Sequence, residues 1–133
     1  MRSKPFKPRP AKEDKTQDNF LTYLKLQYPH VEYRVDAAAG MRMSIGQAMK
    51  NKRMQKRRAW PDLFIAEPRN GFAGLFIEMK REGERIMKRN GEFVDDHVAE
   101  QAEVLSILRA KGYAAQFVVG FHEAKRIMDE YMR

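Results

Sequence analysis

Two short apolar runs, PDLFIAEP (61–68) and GLFIEMKR (74–81), flank the tripeptide Arg69-Asn70-Gly71, and this arrangement constrains the fold more than any other feature. Each run has the length of a strand, and Asn-Gly between two such runs is a strong turn signal. A hairpin turning near Asn70 sets Asp62 opposite Glu78 and Phe64 opposite Phe76, with cross-strand Cβ atoms about 4.5–5.5 Å apart. Side chains alternate between the two faces of a strand, so Lys80 projects from the same face as Glu78. Leu63, Ile65, Leu75, Ile77 and Met79 fill the opposite face. Two carboxylates and a lysine are thereby gathered at one end of an otherwise hydrophobic hairpin.

The rest of the chain supplies helices to cover that hairpin. From Glu13 to Tyr28, Phe20, Leu21, Leu24 and Tyr28 follow helical spacing, and Pro29 ends the run. Val31–Ala37 reads as a short strand. Residues 40–59 contain two glycines and read as a loop, with a helical turn near Gln47–Met54. Residues 82–94 are polar and read as a second loop. Asp95 or Asp96 then caps a helix with Val98, Ala102, Leu105 and Leu108 on one face, ending at Gly112. Tyr113–Val119 is a buried strand, and Phe121–Met132 a closing amphipathic helix. The expected order is α-β-β-β-α-β-α, a mixed α/β sheet flanked by helices.

A length of 133 residues fits one domain with a single sizeable core. The chain has no cysteine, which excludes a disulfide scaffold, thiolate metal sites and a cysteine nucleophile. His30, His97 and His122 are too far apart in sequence to suggest a zinc site. No apolar run approaches the ~18–20 residues of a membrane span, and the N-terminus lacks the apolar core of a signal peptide. A soluble protein of the cytoplasm is expected.

The charge is distributed unevenly. Of 26 Lys and Arg residues, five lie in residues 1–12, where Pro5, Pro8 and Pro10 mark an extended, flexible arm ahead of a domain at 13–133. Seven more lie in residues 37–61: Arg42, Lys50, Lys52, Arg53, Lys56, Arg57 and Arg58, with no acid among them. Such a segment can be a solvated surface, but uncompensated positive charge favours a polyanion, because each neutralised phosphate releases counterions. An anionic membrane fits less well, since neither segment offers a strong apolar face to insert. DNA is the expected partner, and these seven residues are its candidate contacts.

The carboxylate pair has two readings. It can be an ordinary ion cluster at a strand edge. It can also be a metal site, because burying two like charges is costly without a cation, and Mg²⁺ or Mn²⁺ suits oxygen ligands.

Pro61-Asp62, followed after fifteen residues by Glu78-Met79-Lys80, resembles the PD-(D/E)xK nuclease motif. With the downstream stretch EMKREG…HVAEQAEVLSILRAKGYAAQFVVGFHEAKRIM, the chain from Glu13 to Met132 resembles the VRR-NUC (virus-type replication-repair nuclease) branch. The resemblance implies a restriction-endonuclease-like core and a catalytic set of Glu13, Asp62, Glu78, Lys80 and Gln101. It further implies Mg²⁺ or Mn²⁺ held by Asp62, Glu78 and the Met79 carbonyl, with Glu13 as a further candidate. Asp14 and Asp18 compete with Glu13, and residue type alone does not single out Gln101. His97 reads as an exposed structural histidine, and Trp60 as a core residue rather than one that stacks on a base.

Read this way, Lys80 positions water or stabilises the transition state, and no nucleotide cofactor is needed. Stand-alone members of the family resemble dimeric resolvases of four-way junctions, whereas the Fanconi-associated nuclease acts on flaps and crosslink intermediates. The expectation is a homodimeric, structure-selective endonuclease acting on Holliday junctions or other branched DNA in repair, in the host cytoplasm if phage-encoded. The unassigned Met41, Met43, Met49 and Met54 are candidate dimer surface. A non-catalytic nucleic-acid-binding module and a sequence-specific restriction-type enzyme are the alternatives.

Overall fold

The computed structural model describes residues 11–36 and 43–133, with side chains from Lys15 onward. Helix α1 (Ala11–Gln27) leads into strand β1 (Tyr33–Val35), helix α2 (Ile45–Met54) and the hairpin strands β2 (Leu63–Ile65) and β3 (Leu75–Lys80). Helix α3 (Asp96–Ala110), strand β4 (Ala114–Val119) and helix α4 (Phe121–Met132) follow. The strands form one sheet in the order β1-β2-β3-β4, antiparallel at the first two pairings and parallel at the last. The order is thus α-β-α-β-β-α-β-α, the expected mixed sheet with one helix added.

The two sheet faces divide the core. Leu63, Ile65, Leu75, Ile77 and Met79 are buried against Phe20 and Leu24 of α1 and Ala124 and Met128 of α4. On the other face, Phe64, Phe76, Ala115 and Phe117 pack with Val104, Leu105 and Leu108 of α3. Burying strands on both faces requires this three-layer arrangement, and it explains why the hairpin runs are apolar on alternate and adjacent positions alike. The Tyr23 and Tyr28 hydroxyls of α1 both donate to the Asp129 carboxylate of α4, tying the two helices together.

The hairpin turns through Asn70 (φ 53°) and Gly71 (φ 84°), both left-handed, as a type I′ connection requires. Arg69 and Phe72 exchange both backbone hydrogen bonds across it. Four chain steps separate Ile65 from Arg69, but three separate Phe72 from Leu75, so the first strand carries one extra residue near Glu67 and Pro68. Beyond this bulge the register is Leu63↔Ile77, Phe64↔Phe76 and Ile65↔Leu75, the register expected of a hairpin centred near Asn70, which the two-residue Asn70-Gly71 turn alone would miss by one. Gly74 sits where the strands meet: a Cβ there would lie 2.7 Å from the Phe64 ring and 2.9 Å from the Ile65 carbonyl oxygen.

Helix α2 lengthens the helical turn expected near Gln47–Met54 within the loop read over residues 40–59. The Ser44 hydroxyl accepts from the Gln47 N–H, and the Gln47 side chain accepts from the Ser44 N–H, a reciprocal capping box. The helix buries none of its side chains, and Ile45 is 81% exposed. Without a packed face it leaves no apolar periodicity, which is why its pattern reads as a loop. Among the described residues, no helix is long and apolar enough to cross a membrane.

Candidate active site

The end of the hairpin distal to the turn is where polar groups enter the sheet. The register carries on from Leu63↔Ile77, so Asp62 stands beside Glu78, and its carboxylate accepts the Met79 N–H at 3.2 Å. An extended residue points its N–H and C=O to the same side, so the Met79 carbonyl is also directed towards β2. The residue facing it in that register is Pro61, which has no N–H to donate. Proline before aspartate thus leaves the Met79 carbonyl without its ladder donor, next to the Asp62 carboxylate.

Glu78 and Lys80 lie on the face covered by α3 and are buried, 7% and 6% exposed. Gln101, from α3, is buried with them and joins them. Its Nε2 donates to Glu78 Oε1 at 2.8 Å, and its Oε1 accepts from Lys80 Nζ at 2.9 Å. Lys80 Nζ also lies 3.9 Å from Glu78 Oε1 and 5.9 Å from the centre of the Phe117 ring. An amide is the side chain that can serve both neighbours at once, because it donates to the carboxylate and accepts from the ammonium. Helix α3 holds this glutamine in place through the Asp95 cap, whose carboxylate accepts the Val98 N–H at 2.8 Å.

The electrostatics of the pair follow from its burial. Glu78 is raised to about 9, first by loss of solvation and then by the charge and hydrogen bond of Asp62, with Lys80 opposing the shift. Asp62 is also raised by burial, while its hydrogen bond from Glu78 pulls it down. Glu78 therefore retains a proton at neutral pH and donates it to the Asp62 carboxylate. Two buried carboxylates side by side are costly to ionise together without a compensating cation. The donor set available to that cation is all oxygen: Asp62, Glu78 and the Met79 carbonyl. This suits Mg²⁺ or Mn²⁺. Among the described residues, no group of three His, Cys, Asp or Glu side chains converges here or elsewhere.

The structure brings together Asp62, Glu78, Lys80 and Gln101. The Glu13 side chain lies outside the described residues, as do Arg42, Met41 and the basic arm through residue 10. Lys50, Lys52 and Arg53 are exposed on α2, and Lys56 and Arg58 are exposed just beyond it. Arg57 is the exception to an uncompensated basic segment, since it reaches Glu103 of α3 at 3.7 Å. His97 is exposed, as expected. Trp60 differs from expectation: it is 45% exposed rather than core, because it packs edge-to-face on Phe76 at 5.7 Å from outside the sheet. Gln101 is far more central than residue type suggests, because, set among the buried apolar residues of α3, its amide alone reaches both Glu78 and Lys80.

No family model matches the chain, and no curated protein matches it. A solved structure described as a VRR_NUC domain protein does match, with a TM-score of 0.67 and 22% sequence identity. The match covers 96% of this chain and 91% of the other. Similarity at this identity speaks to architecture, and together with the mixed four-stranded sheet and its flanking helices it leads to one conclusion. The chain has the fold of that VRR_NUC domain protein, a mixed four-stranded sheet flanked by helices.

Proposed function

We propose that this protein is a divalent-metal-dependent, structure-selective DNA endonuclease, acting on Holliday junctions or other branched DNA as a homodimer. The observation that carries the reading is the closed set of Asp62, Glu78, Lys80 and Gln101 at one end of the hairpin. An ion pair kept only for stability has no need of a carbonyl freed by proline or of an amide bridging acid and base.

When bound by Asp62, Glu78 and the Met79 carbonyl, Mg²⁺ or Mn²⁺ supplies positive charge to a scissile phosphate and makes water more acidic. Asp62 and Glu78 would have to release the proton between them to hold such a cation, and the proton would pass to solvent. Lys80, aimed by the Gln101 carbonyl oxygen, offers an ammonium to an attacking water or to the charge that develops on the phosphate. Gln101 fixes both ends of that geometry, so Glu78 and Lys80 keep their separation when DNA arrives. If Glu13 completes the site, it does so from the first turn of α1. No residue in this set calls for a nucleotide cofactor.

The exposed Lys and Arg residues of α2 and its C-terminal extension support binding to the DNA backbone. A four-way junction needs two opposed nicks, and a chain with one site meets that need as a two-fold dimer. The exposed Ile45, Met49 and Met54 of α2 suit such an interface. The cysteine-free composition suits the reducing cytoplasm, that of the host if the chain is phage-encoded.

The test is incubation of the protein with labelled four-way, flap and linear DNA in Mg²⁺, Mn²⁺ or EDTA. Cleavage should need the metal and favour branched substrates. Glu78→Ala and Lys80→Ala should each abolish it while DNA binding persists. Binding without cleavage in either metal would instead favour a non-catalytic nucleic-acid module.

A further inference from the structure

Trp60 is the single tryptophan of the chain, and it stands half-exposed beside the carboxylate site. Its neighbours Ala59 and Pro61 are both buried, so the backbone on either side is anchored. Its ring is fixed edge-to-face against Phe76 at 5.7 Å, and Phe76 is in turn stacked on Phe64 at 4.4 Å. Two depressions share Trp60 and Lys56 as a wall. One, of about 680 Å³, runs past Arg34, Met54, Phe64 and Phe76 to Asp62 itself. The other, of about 480 Å³, reaches Arg57 and Lys111.

The larger groove is the informative one. Arg34 and Lys56 are balanced there by Asp36 and Asp62, so it is no trough for phosphates. Its floor is aromatic, and its volume suits a flat group of nucleotide size. Positive charge lies instead on the last turn of α2, where Lys52 and Arg53 sit just before the Met54–Lys56 wall. A rigid aromatic ring, a neutral groove and a basic rim together match a nucleic-acid strand whose base enters while its phosphates stay outside.

We propose that Trp60 is a stacking platform for one unpaired base at a branch or frayed end of the DNA, seated in the groove that leads to Asp62. This rests on the nuclease reading and deepens it: the site selects branched DNA because a base within intact duplex cannot reach Trp60. A base held there leaves its neighbouring phosphate beside Asp62 and Glu78. Base–aromatic stacking is sequence-tolerant, because every base has a π-face.

The experiment uses the fluorescence of the single tryptophan. The full chain carrying Glu78→Ala, in EDTA, is titrated with a forked duplex, the same fork with abasic nucleotides in its unpaired arms, and a blunt paired duplex. Anisotropy of labelled DNA reports total binding in parallel. Saturable quenching of Trp60 is expected with the fork, and little with the abasic fork or the paired duplex, although both still bind. Trp60→Leu keeps an apolar group on Phe76 but has no π-face, and should lower the affinity for the fork relative to the paired duplex about tenfold. Trp60→Phe should restore most of that preference.

Equal quenching by the intact and abasic forks would overturn the proposal, and so would an unchanged fork preference in Trp60→Leu. Neither readout needs cleavage. A protein that cuts no DNA in Mg²⁺ or Mn²⁺ but shows base-dependent quenching refutes the nuclease reading alone. One that cuts branched DNA with no base-dependent quenching refutes the stacking alone.

Discussion

Replacing Glu78 by Gln should stabilise the metal-free protein, and by an amount that grows with pH. The folded protein holds the Glu78 proton up to about 9, whereas the unfolded chain releases it near the ordinary 4.5. Its contribution to stability is therefore full below pH 4.5 and is lost as pH rises towards 9. Each pH unit in that window costs about 1.4 kcal/mol, so roughly 3 kcal/mol is missing at pH 7. The side chain is only 9% exposed, so solvent screening does little to reduce this. Glutamine has nearly the same shape, can still accept from Gln101 Nε2, and can donate to Asp62. Urea unfolding of both proteins in EDTA should give a difference under about 1 kcal/mol at pH 5, rising to roughly 3 kcal/mol at pH 7. Near neutral pH this corresponds to a rise in Tm on the order of 10 °C. Adding Mg²⁺ should raise the wild-type stability by replacing the proton, and should do far less for Glu78→Gln. A difference that stays flat between pH 5 and pH 8 would falsify the reasoning, because it would mean that Glu78 is ionised in the folded state.

Gly74→Ala should destabilise the fold by about 1–3 kcal/mol, since the added Cβ meets a backbone oxygen at 2.9 Å that cannot yield; thermal unfolding checks it, and an unchanged Tm refutes it. Neutralising Arg53, Lys56, Arg57 and Arg58 together should flatten the salt dependence of duplex binding by up to about 3–4 log–log units, the lower figure applying if Arg57 stays with Glu103. An unchanged slope would move the DNA contact to the N-terminal arm. Light scattering should find a dimer that Ile45→Glu with Met49→Glu dissociates, whereas a monomeric wild type that still nicks junctions in pairs would contradict the two-fold assembly.

The parts of this protein visible in its sequence are those where one physical requirement dominates the pattern. Leu63, Ile65, Leu75, Ile77 and Met79 face one layer of helices, and Phe64 and Phe76 the other. A hairpin centred near Asn70 then places Asp62, Glu78 and Lys80 together, although the Asn-Gly pair carries no sign of the bulge that keeps this register. Helix α4 is read to the residue because its buried Ala124, Met128 and Tyr131 recur at helical spacing. Helix α2 was hidden for the opposite reason: nothing in it is buried, and its one signal is the Ser44-x-x-Gln47 cap. Gln101 carries no mark of its own, since its importance comes from two partners on a strand more than twenty residues earlier. Trp60 misled because a large aromatic ring beside a core strand is ordinarily inside, whereas here Phe76 supports it from beneath.

The extra residue near Glu67 and Pro68 makes the length of the hairpin connection a matter of parity. The Asn-Gly turn by itself would set Asp62 against Met79, turning its carboxylate towards α1 and α4 and away from Glu78. The bulge advances one strand by a single step and restores the facing pair. Losing one residue between Ala66 and Pro68 would leave two paired strands and an Asn-Gly turn, with the acid on the wrong side of the sheet. The loop between β3 and α3 lies outside the paired strands, so its length does not enter that alternation. Insertions and deletions are thus sorted by location: neutral to the register in the loop between Lys80 and Asp96, whose own Met87–Phe93 bridge is separate, and in the hairpin arm able to erase the site while sparing the scaffold.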